Sequence, residues 1–421
     1  MTKGASPRPG PPQQAPAAGQ EQDPAIPAMD REARPRVLVI IGTRPEAIKM
    51  APVVAALRRH GEAVETDVVL TGQHSDLVDQ ALADFDLQPD HDLGIMREGQ
   101  SLYDVAEGCL RGLREVVALR APRLILVQGD TASVFFGALV GYFEGVAVGH
   151  VEAGLRSGNL RSPFPEEGFR RLTGVLANLH FAPTAEARDH LLREGVPGAR
   201  IHLTGNPVVD ALLQVAHGVS APGNPALARL LERADAGEGP FMLLTAHRRE
   251  SFGAPLERAL GAVVDILDEA PELECLFPVH PNPRVREPAV RILGEHPRVH
   301  LVDPLTYPDL VQALRGAALV LTDSGGIQEE APTFGTPVLV LREVTERPEG
   351  IRAGVATLVG TDPRKIISQA RAALRESPTH RERRQRKNPY GDGKAGERIA
   401  EAVLAFLSPP DSGTGEGEGR A

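Results

Sequence analysis

Cysteine is almost absent: the 421 residues include two, Cys109 and Cys275, far apart in the chain. So few rules out a disulfide framework and reads as two buried thiols in a reducing cytoplasm, the expected location. An excess of cations is also missing. With a net charge of −10 the surface has little to neutralise a nucleic-acid backbone, so a general nucleic-acid binder is excluded, although a local cationic pocket for one diphosphate is not. No apolar run approaches the ~18 residues needed to span a bilayer, and residues 1–30 lack the apolar centre of a secretory signal. No His/Cys cluster has zinc-ligand spacing, so no catalytic metal is expected.

What is present is ordinary globular material, 42% apolar and 24% charged, in a length comfortable for two domains. Residues 1–34 are rich in Pro, Ala, Gln and Gly and read as a disordered tail, as do residues 408–421. Between them, short apolar runs recur at 37–41, 67–70, 124–127, 146–148 and 201–203. A second series follows at 242–244, 273–277, 299–302, 319–321, 338–341 and 357–359. Consecutive rather than alternating apolar positions mark parallel strands buried on both faces. Longer amphipathic stretches such as 48–59 and 256–267 separate them. This is the α/β doubly wound pattern, seen twice. It predicts two Rossmann-like domains facing a central cleft, 35–212 and 213–387, with the break in the Gly-, Pro- and Ala-rich segment 216–240. A last helix within 388–407 is expected to return to the first domain.

In such sheets ligands bind beyond the carboxyl ends of the strands, and that is where the polar residues fall. The first strand runs into Gly42-Thr43-Arg44-Pro45-Glu46-Ala47-Ile48-Lys49. Gly42 permits a tight turn, Pro45 suits the first helical turn, and Arg44 and Lys49 bring two cations to a helix N-terminus, a natural phosphate site. The string is neither GxGxxG nor GxxxxGK[ST], so neither a dinucleotide cofactor nor ATP is implied. Ser324-Gly325-Gly326 frees backbone amides to cradle a diphosphate, and Glu330 follows as an acceptor for a ribose diol. His247, with Arg248 and Arg249 behind it, suits a phosphate oxygen. Asp130, Glu152 and the pair Glu166 and Glu167 are the candidate acids and bases.

Each residue alone also admits a plainer role. Lys49 could be a solvated helix charge, Glu330 a dipole-favoured first-turn acid and His247 a helix cap. Asp130 and Glu166 could be N-terminal caps, and His280 a stiffener of its proline-rich loop. Six polar strand ends on one cleft make the plain roles together a poor account.

The strings GTRPEAIKMAP, QGDTAS, GHVEAGLRS, SPFPEE, TAHRRESFG, PVHPNPRVREP, LTDSGGIQEEAP, TERPEGIRAG and NPYGDG span residues 36–407. In these the chain resembles the bacterial non-hydrolysing UDP-N-acetylglucosamine 2-epimerases, whose strings stand in the same order. The resemblance implies the two-domain glycosyltransferase-B fold. It implies nucleotide-sugar contacts at Arg44 and Lys49, a diphosphate loop at Ser324, Gly325 and Gly326, a ribose carboxylate at Glu330 and a further contact at Arg347. It implies catalytic carboxylates at Asp130, Glu152 and Glu166 and an active-site histidine at His247. Departures are modest: Leu305 and Leu310 stand where some members have a glutamine and an aromatic, and QGDTAS replaces the more usual HGDTTT while keeping the acid.

The implied reaction is C2 epimerisation of UDP-N-acetylglucosamine to UDP-N-acetylmannosamine without a cofactor, through elimination of UDP to a glycal and re-addition. It would supply cell-surface polysaccharide precursors. The family also implies a homodimer and activation by UDP-GlcNAc at a second site, for which Gln73, His74, Arg248 and His280 are the candidates. Three rivals remain open from sequence: a glycosyltransferase-B sugar transferase, a hydrolysing epimerase releasing ManNAc and UDP, and a catalytically silent nucleotide-sugar sensor. The exact 2-acetamido sugar is not legible.

Overall fold

The computed structural model describes residues 34–72, 76–97, 99–218, 221–375 and 387–408. The tails expected to be disordered, and Gln73 and His74, lie outside these bounds apart from the residues at the tails' inner edges.

The apolar runs become strands of two sheets. The first holds β1 (Arg36–Ile41), β2 (Glu65–Leu70), β3 (His91–Asp92), β4 (Leu124–Gln128), β5 (Ala147–Val151), β6 (Leu179–Ala182) and β7 (Ile201–Leu203), in the order β3-β2-β1-β4-β5-β6-β7. The second holds β8 (Phe241–Thr245), β9 (Glu274–Pro278), β10 (Val299–Val302), β11 (Leu319–Thr322), β12 (Val338–Val340) and β13 (Ala356–Leu358), in the order β10-β9-β8-β11-β12-β13. Neighbouring strands are parallel in both. Alternation along β1 explains its unbroken apolar run. Val37, Val39 and Ile41 pack with the helix Arg44–Arg59, while Leu38 and Ile40 pack with Val105, Leu113 and Val134 on the other face. Both faces are covered, so no position is free to be polar.

In each sheet the strand order reverses once, between β1 and β4 and between β8 and β11. A crevice opens at such a switch point, outside the carboxyl ends of the strands. Gly42 and Asp130 follow β1 and β4; His247 and Ser324 follow β8 and β11. Strand order therefore gathers candidate residues at one crevice in each sheet.

The structure differs from the sequence reading in four respects. β3 and β6 were not expected: β3 has two residues, and β6, LHFA, is short and interrupted by His180. β5 continues to Val151, so Glu152 is the first residue beyond the strand rather than part of a long loop. The break segment contains the helix Pro225–Asp235, capped by Asn224. A boundary after residue 212 falls inside the helix Pro207–His217, which packs on helices of both halves.

The last helix, Ala395–Leu407, lies on the helix Arg44–Arg59 of the first half. Gly396 allows the approach, since a Cβ there would sit 2.8 Å from the Pro52 carbonyl oxygen. Both cysteines are free and buried, and burial pushes their thiols up to about 12. Among the described residues no helix is long and apolar enough to cross a membrane.

Candidate active site

A cavity of about 560 Å³ lies between the carboxyl ends of the two sheets. Arg44, Lys49, Asp130, Glu152, Glu166, His247, Arg248, His280, Ser324, Gly325, Gly326, Glu330 and Arg347 all line it. Of the candidates, only Gln73 and His74 are not placed, being outside the described residues.

The first wall is built on the turn after β1. Thr43 is extended and the helix begins at Arg44. Glu46 folds back, accepting the Gly42 amide at 2.5 Å and the Thr131 hydroxyl at 2.8 Å. Burial nevertheless raises its carboxyl to about 7. The Arg44 guanidinium reaches across to the Leu305 carbonyl at 3.5 Å. Lys49 is not a solvated charge: it is buried, and its Nζ stands 2.8 Å from both carboxylate oxygens of Glu152.

Glu152 adopts a φ of 65°, a left-handed conformation uncommon for a non-glycine residue and concentrated at functional sites. Its carboxylate also accepts from Gln128 and, at 3.1 Å, from Asn206. Burial opposes its ionisation, but Lys49, Arg347 and these hydrogen bonds outweigh burial and hold it below the usual carboxylate range. The same Asn206 amide nitrogen donates to Glu329 at 3.0 Å, and Glu329 accepts from Arg347 Nε at 2.9 Å. A buried chain of charge and hydrogen bonds thus runs from Lys49 in the first half to Arg347 in the second.

Asp130 and Glu166 differ from Glu152. Neither is an N-cap: Thr131 caps the helix Ala132–Phe143 and Pro165 precedes the helix Glu166–Leu176. Asp130 is 30% exposed and is hydrogen-bonded by Arg170. Oε2 of Glu166 is buried with no hydrogen-bond partner among the described residues. Glu167 turns the other way, fully buried, and accepts from the Ser157 amide, Arg170 and Arg171, each at 3.0 Å. The acidic pair therefore divides: Glu166 lines the cavity and Glu167 builds its wall.

The second wall hangs on Asp323, which accepts the main-chain amides of His247 at 3.0 Å and Arg248 at 2.9 Å. His247 Nδ1 is 3.2 Å from the same carboxylate, and its ring stacks on His280 with centroids 6.2 Å apart. Burial lowers the His247 pKa below its ordinary value. His280 Nδ1 accepts the Asn282 amide at 3.1 Å, so it stiffens its loop while facing the cavity. A Cβ at Gly325 would lie 2.9 Å from the Arg347 guanidinium carbon, so a side chain there would have to displace Arg347. Glu330 closes the short helix Gly325–Glu330 rather than opening it, and receives the Tyr307 hydroxyl at 3.0 Å. Burial raises Glu330 to about 7.

Sequence reasoning missed Arg170, Asn206, Glu329 and Asp323. Asp323 sits at a polar strand end beside the Gly pair, a signal that was available. Each of the others has a partner 18 to 123 residues away in the chain, a distance at which no spacing rule operates, although Arg170 also has Glu167 three residues before it.

Two Rossmann-like parallel sheets opening carboxyl end to carboxyl end on one polar cleft define the glycosyltransferase-B class. Within it, residues 55–404 match the family model described as UDP-N-acetylglucosamine 2-epimerase, and the chain belongs to that family of isomerases. It is 45% identical over 386 residues to the UDP-N-acetylglucosamine 2-epimerase of Bacillus subtilis, covering 90% of this chain and 99% of that protein. It is also 45% identical over 375 residues to that of Escherichia coli K12, covering 87% and 98%. The crystal structure of UDP-GlcNAc 2-epimerase from Neisseria meningitidis bound to UDP-GlcNAc superposes with a TM-score of 0.80 at 39% identity, covering 88% of this chain and all of that one.

Proposed function

We propose that the protein interconverts UDP-N-acetylglucosamine and UDP-N-acetylmannosamine by eliminating UDP to a glycal and adding it back, without hydrolysis. The observation that carries this reading is the division of the cavity. Asp130, Glu152 and Glu166 reach it from the first half, and the Ser324-Gly325-Gly326 loop with Glu330 reaches it from the second.

The C2 proton of the sugar is only weakly acidic, since no carbonyl adjoins it. Breaking the C1–O bond changes that: positive charge builds on the ring, the C2–H electrons move into a C1–C2 double bond, and the diphosphate takes the C1–O pair. Return of a proton to the opposite face of C2 draws the double-bond electrons back and restores the positive charge at C1, and a diphosphate oxygen then donates its pair to re-form the C1–O bond, which completes inversion. The reaction needs a base on one face, an acid on the other and donors for the leaving diphosphate. Arg44, Lys49, His247 and the amides of Gly325 and Gly326 are the donors, each typically worth a few kcal/mol in the transition state. Asp130 and Glu166, open to the cavity, carry the proton traffic. Glu152, ionised and ringed by donors, shares in it chiefly as the fixed negative charge facing the developing cation.

Arg248 and His280, beside His247 at the same cavity, belong with Gln73 and His74 to a second UDP-GlcNAc site through which substrate activates the enzyme. Exposed Tyr142, Phe143, Leu172 and Val175 on two packed helices support a homodimer. The product suits cell-surface polysaccharide synthesis.

The test is one NMR time course with UDP-GlcNAc alone in deuterated water. UDP-ManNAc carrying deuterium at C2 is the expected result. Free ManNAc with UDP would mean a hydrolysing enzyme, and no reaction until an acceptor is added would mean a transferase.

A further inference from the structure

We infer that Arg170, seated on Glu167, is the residue that positions Asp130 for proton transfer at the sugar ring. The inference rests on the epimerase reading above and adds to it a residue that contacts the carboxylate rather than the sugar carbon.

The helix Glu166–Leu176 shows how the arrangement arises. Residues four apart share a helix face, so Glu166 and Arg170 both reach the cavity. Glu167, one position on, points into the protein and is 0% exposed. Three donors surround its carboxylate: the Ser157 amide, Arg170 Nη1 and Arg171 Nε. One end of the Arg170 guanidinium is thereby fixed, and the other, Nη2, donates to Asp130 Oδ2. Both carboxylates hold Arg170 in its charged form against the opposing effect of burial.

Asp130 is fixed from its own chain as well. The next residue, Thr131, caps the helix Ala132–Phe143 by accepting the Val134 amide. That helix is packed to the first by Phe135 stacked on Phe169, with centroids 5.3 Å apart and planes 11° from parallel. An aromatic stack therefore joins the helix that carries Arg170 to the helix that Asp130 closely precedes. What remains free is the part of Asp130 that faces the cavity.

A purely structural role would not need this arrangement. Burying a guanidinium is costly unless both its ends are paired, and an aliphatic side chain would fill the gap between helix and sheet without that cost. The planar fork of arginine supplies two donors at a fixed separation, one for the platform and one for the acid. A lysine reaches one or the other.

The experiment compares wild type with Arg170→Gln, Arg170→Lys and Glu167→Gln, following epimerisation and C2 deuterium incorporation from UDP-GlcNAc, with UDP affinity and melting temperature measured alongside. Arg170→Gln is expected to lower kcat on the order of 100-fold, the scale of a displaced catalytic group. KM and UDP affinity should stay within about threefold of wild type, because only a transition-state interaction is lost. Arg170→Lys should recover part of kcat, and Glu167→Gln should lose less than Arg170→Gln with the same split. A wild-type kcat in Arg170→Gln overturns the inference, as does a loss shared equally by kcat, KM and UDP affinity. Should Arg170→Gln fail to fold, Glu167→Gln decides, and an unchanged kcat there overturns it. Failure of the epimerase reading is separately visible, as wild type that puts no deuterium at C2.

Discussion

Glu330 sits where a carboxylate is least comfortable. It is 5% exposed, paired with the Tyr307 hydroxyl, and half protonated near neutrality because burial has raised it to about 7. A ribose diol donates two hydrogen bonds only to the ionised form, so nucleotide binding should weaken as pH falls through 7. Between pH 8 and pH 6 wild-type affinity for UDP is expected to fall roughly tenfold more than that of Glu330→Gln, the ratio of ionised fractions for a group near 7. The UDP phosphate titrates equally in both proteins, so calorimetry on the pair isolates the carboxyl. Stability carries the opposite mark. An unfolded glutamate ionises near 4.5 and the folded one near 7, so folding loses stability as pH rises between those values, by about 3 kcal/mol in all. Glu330→Gln should therefore melt higher than wild type at pH 8 and close to it at pH 5.

At the scale of elements, the helix Ala395–Leu407 is the member that comes from one end of the chain to complete a layer at the other. Ile399 is 0% exposed and belongs to the same apolar cluster as Val53, Leu57 and Leu212 of the first half. Ile399→Ala should cost about 3 kcal/mol, within the usual range for a buried isoleucine truncation, read as a lowered urea midpoint. This helix is legible in the sequence, because its apolar periodicity and the turn-rich stretch before it are local features. So were β1, β4, β8 and β11, whose unbroken apolar runs reflect burial on both faces, and so were the polar residues at their ends. β3 was not, since two residues, His91 and Asp92, carry no pattern. β5 was cut short because Gly149 and His150 look like loop residues, although Gly149 is there to admit Leu126 and Phe181 and His150 is paired to the Gly129 carbonyl. The site showed a sharper limit. Residues aimed at the cavity were visible by their place at strand ends, but Asn206, Glu329 and the Asp130 end of Arg170 owe their roles to partners fixed only by tertiary packing.

Across the whole molecule, Glu152 is where charges from both halves meet: Lys49 and Asn206 touch it directly, and Arg347 approaches to 4.0 Å. Glu152→Gln keeps the shape and removes the charge. Lys49 and Arg347 then lose their shared counter-ion at a site that must receive a diphosphate, so UDP binding should be retained. The fixed negative charge facing the sugar is gone, so turnover should be abolished. Calorimetry with UDP beside an epimerisation assay checks both, and normal turnover would defeat the assignment of Glu152.

The buried run through Lys49, Glu152, Asn206, Glu329 and Arg347 also bears on modularity. The two sheets invite recombination, with one half taken from one relative and one from another. These five side chains come from five stretches of sequence, on both sides of any single crossover between residues 49 and 347, and each covers a charge or a polar atom of the next. A chimera that mixes their identities would inherit an uncompensated buried group however well its surfaces matched. Shuffling within this family should therefore treat the five as one inherited block, together with the closing helix that no cut near residue 212 keeps with its own half.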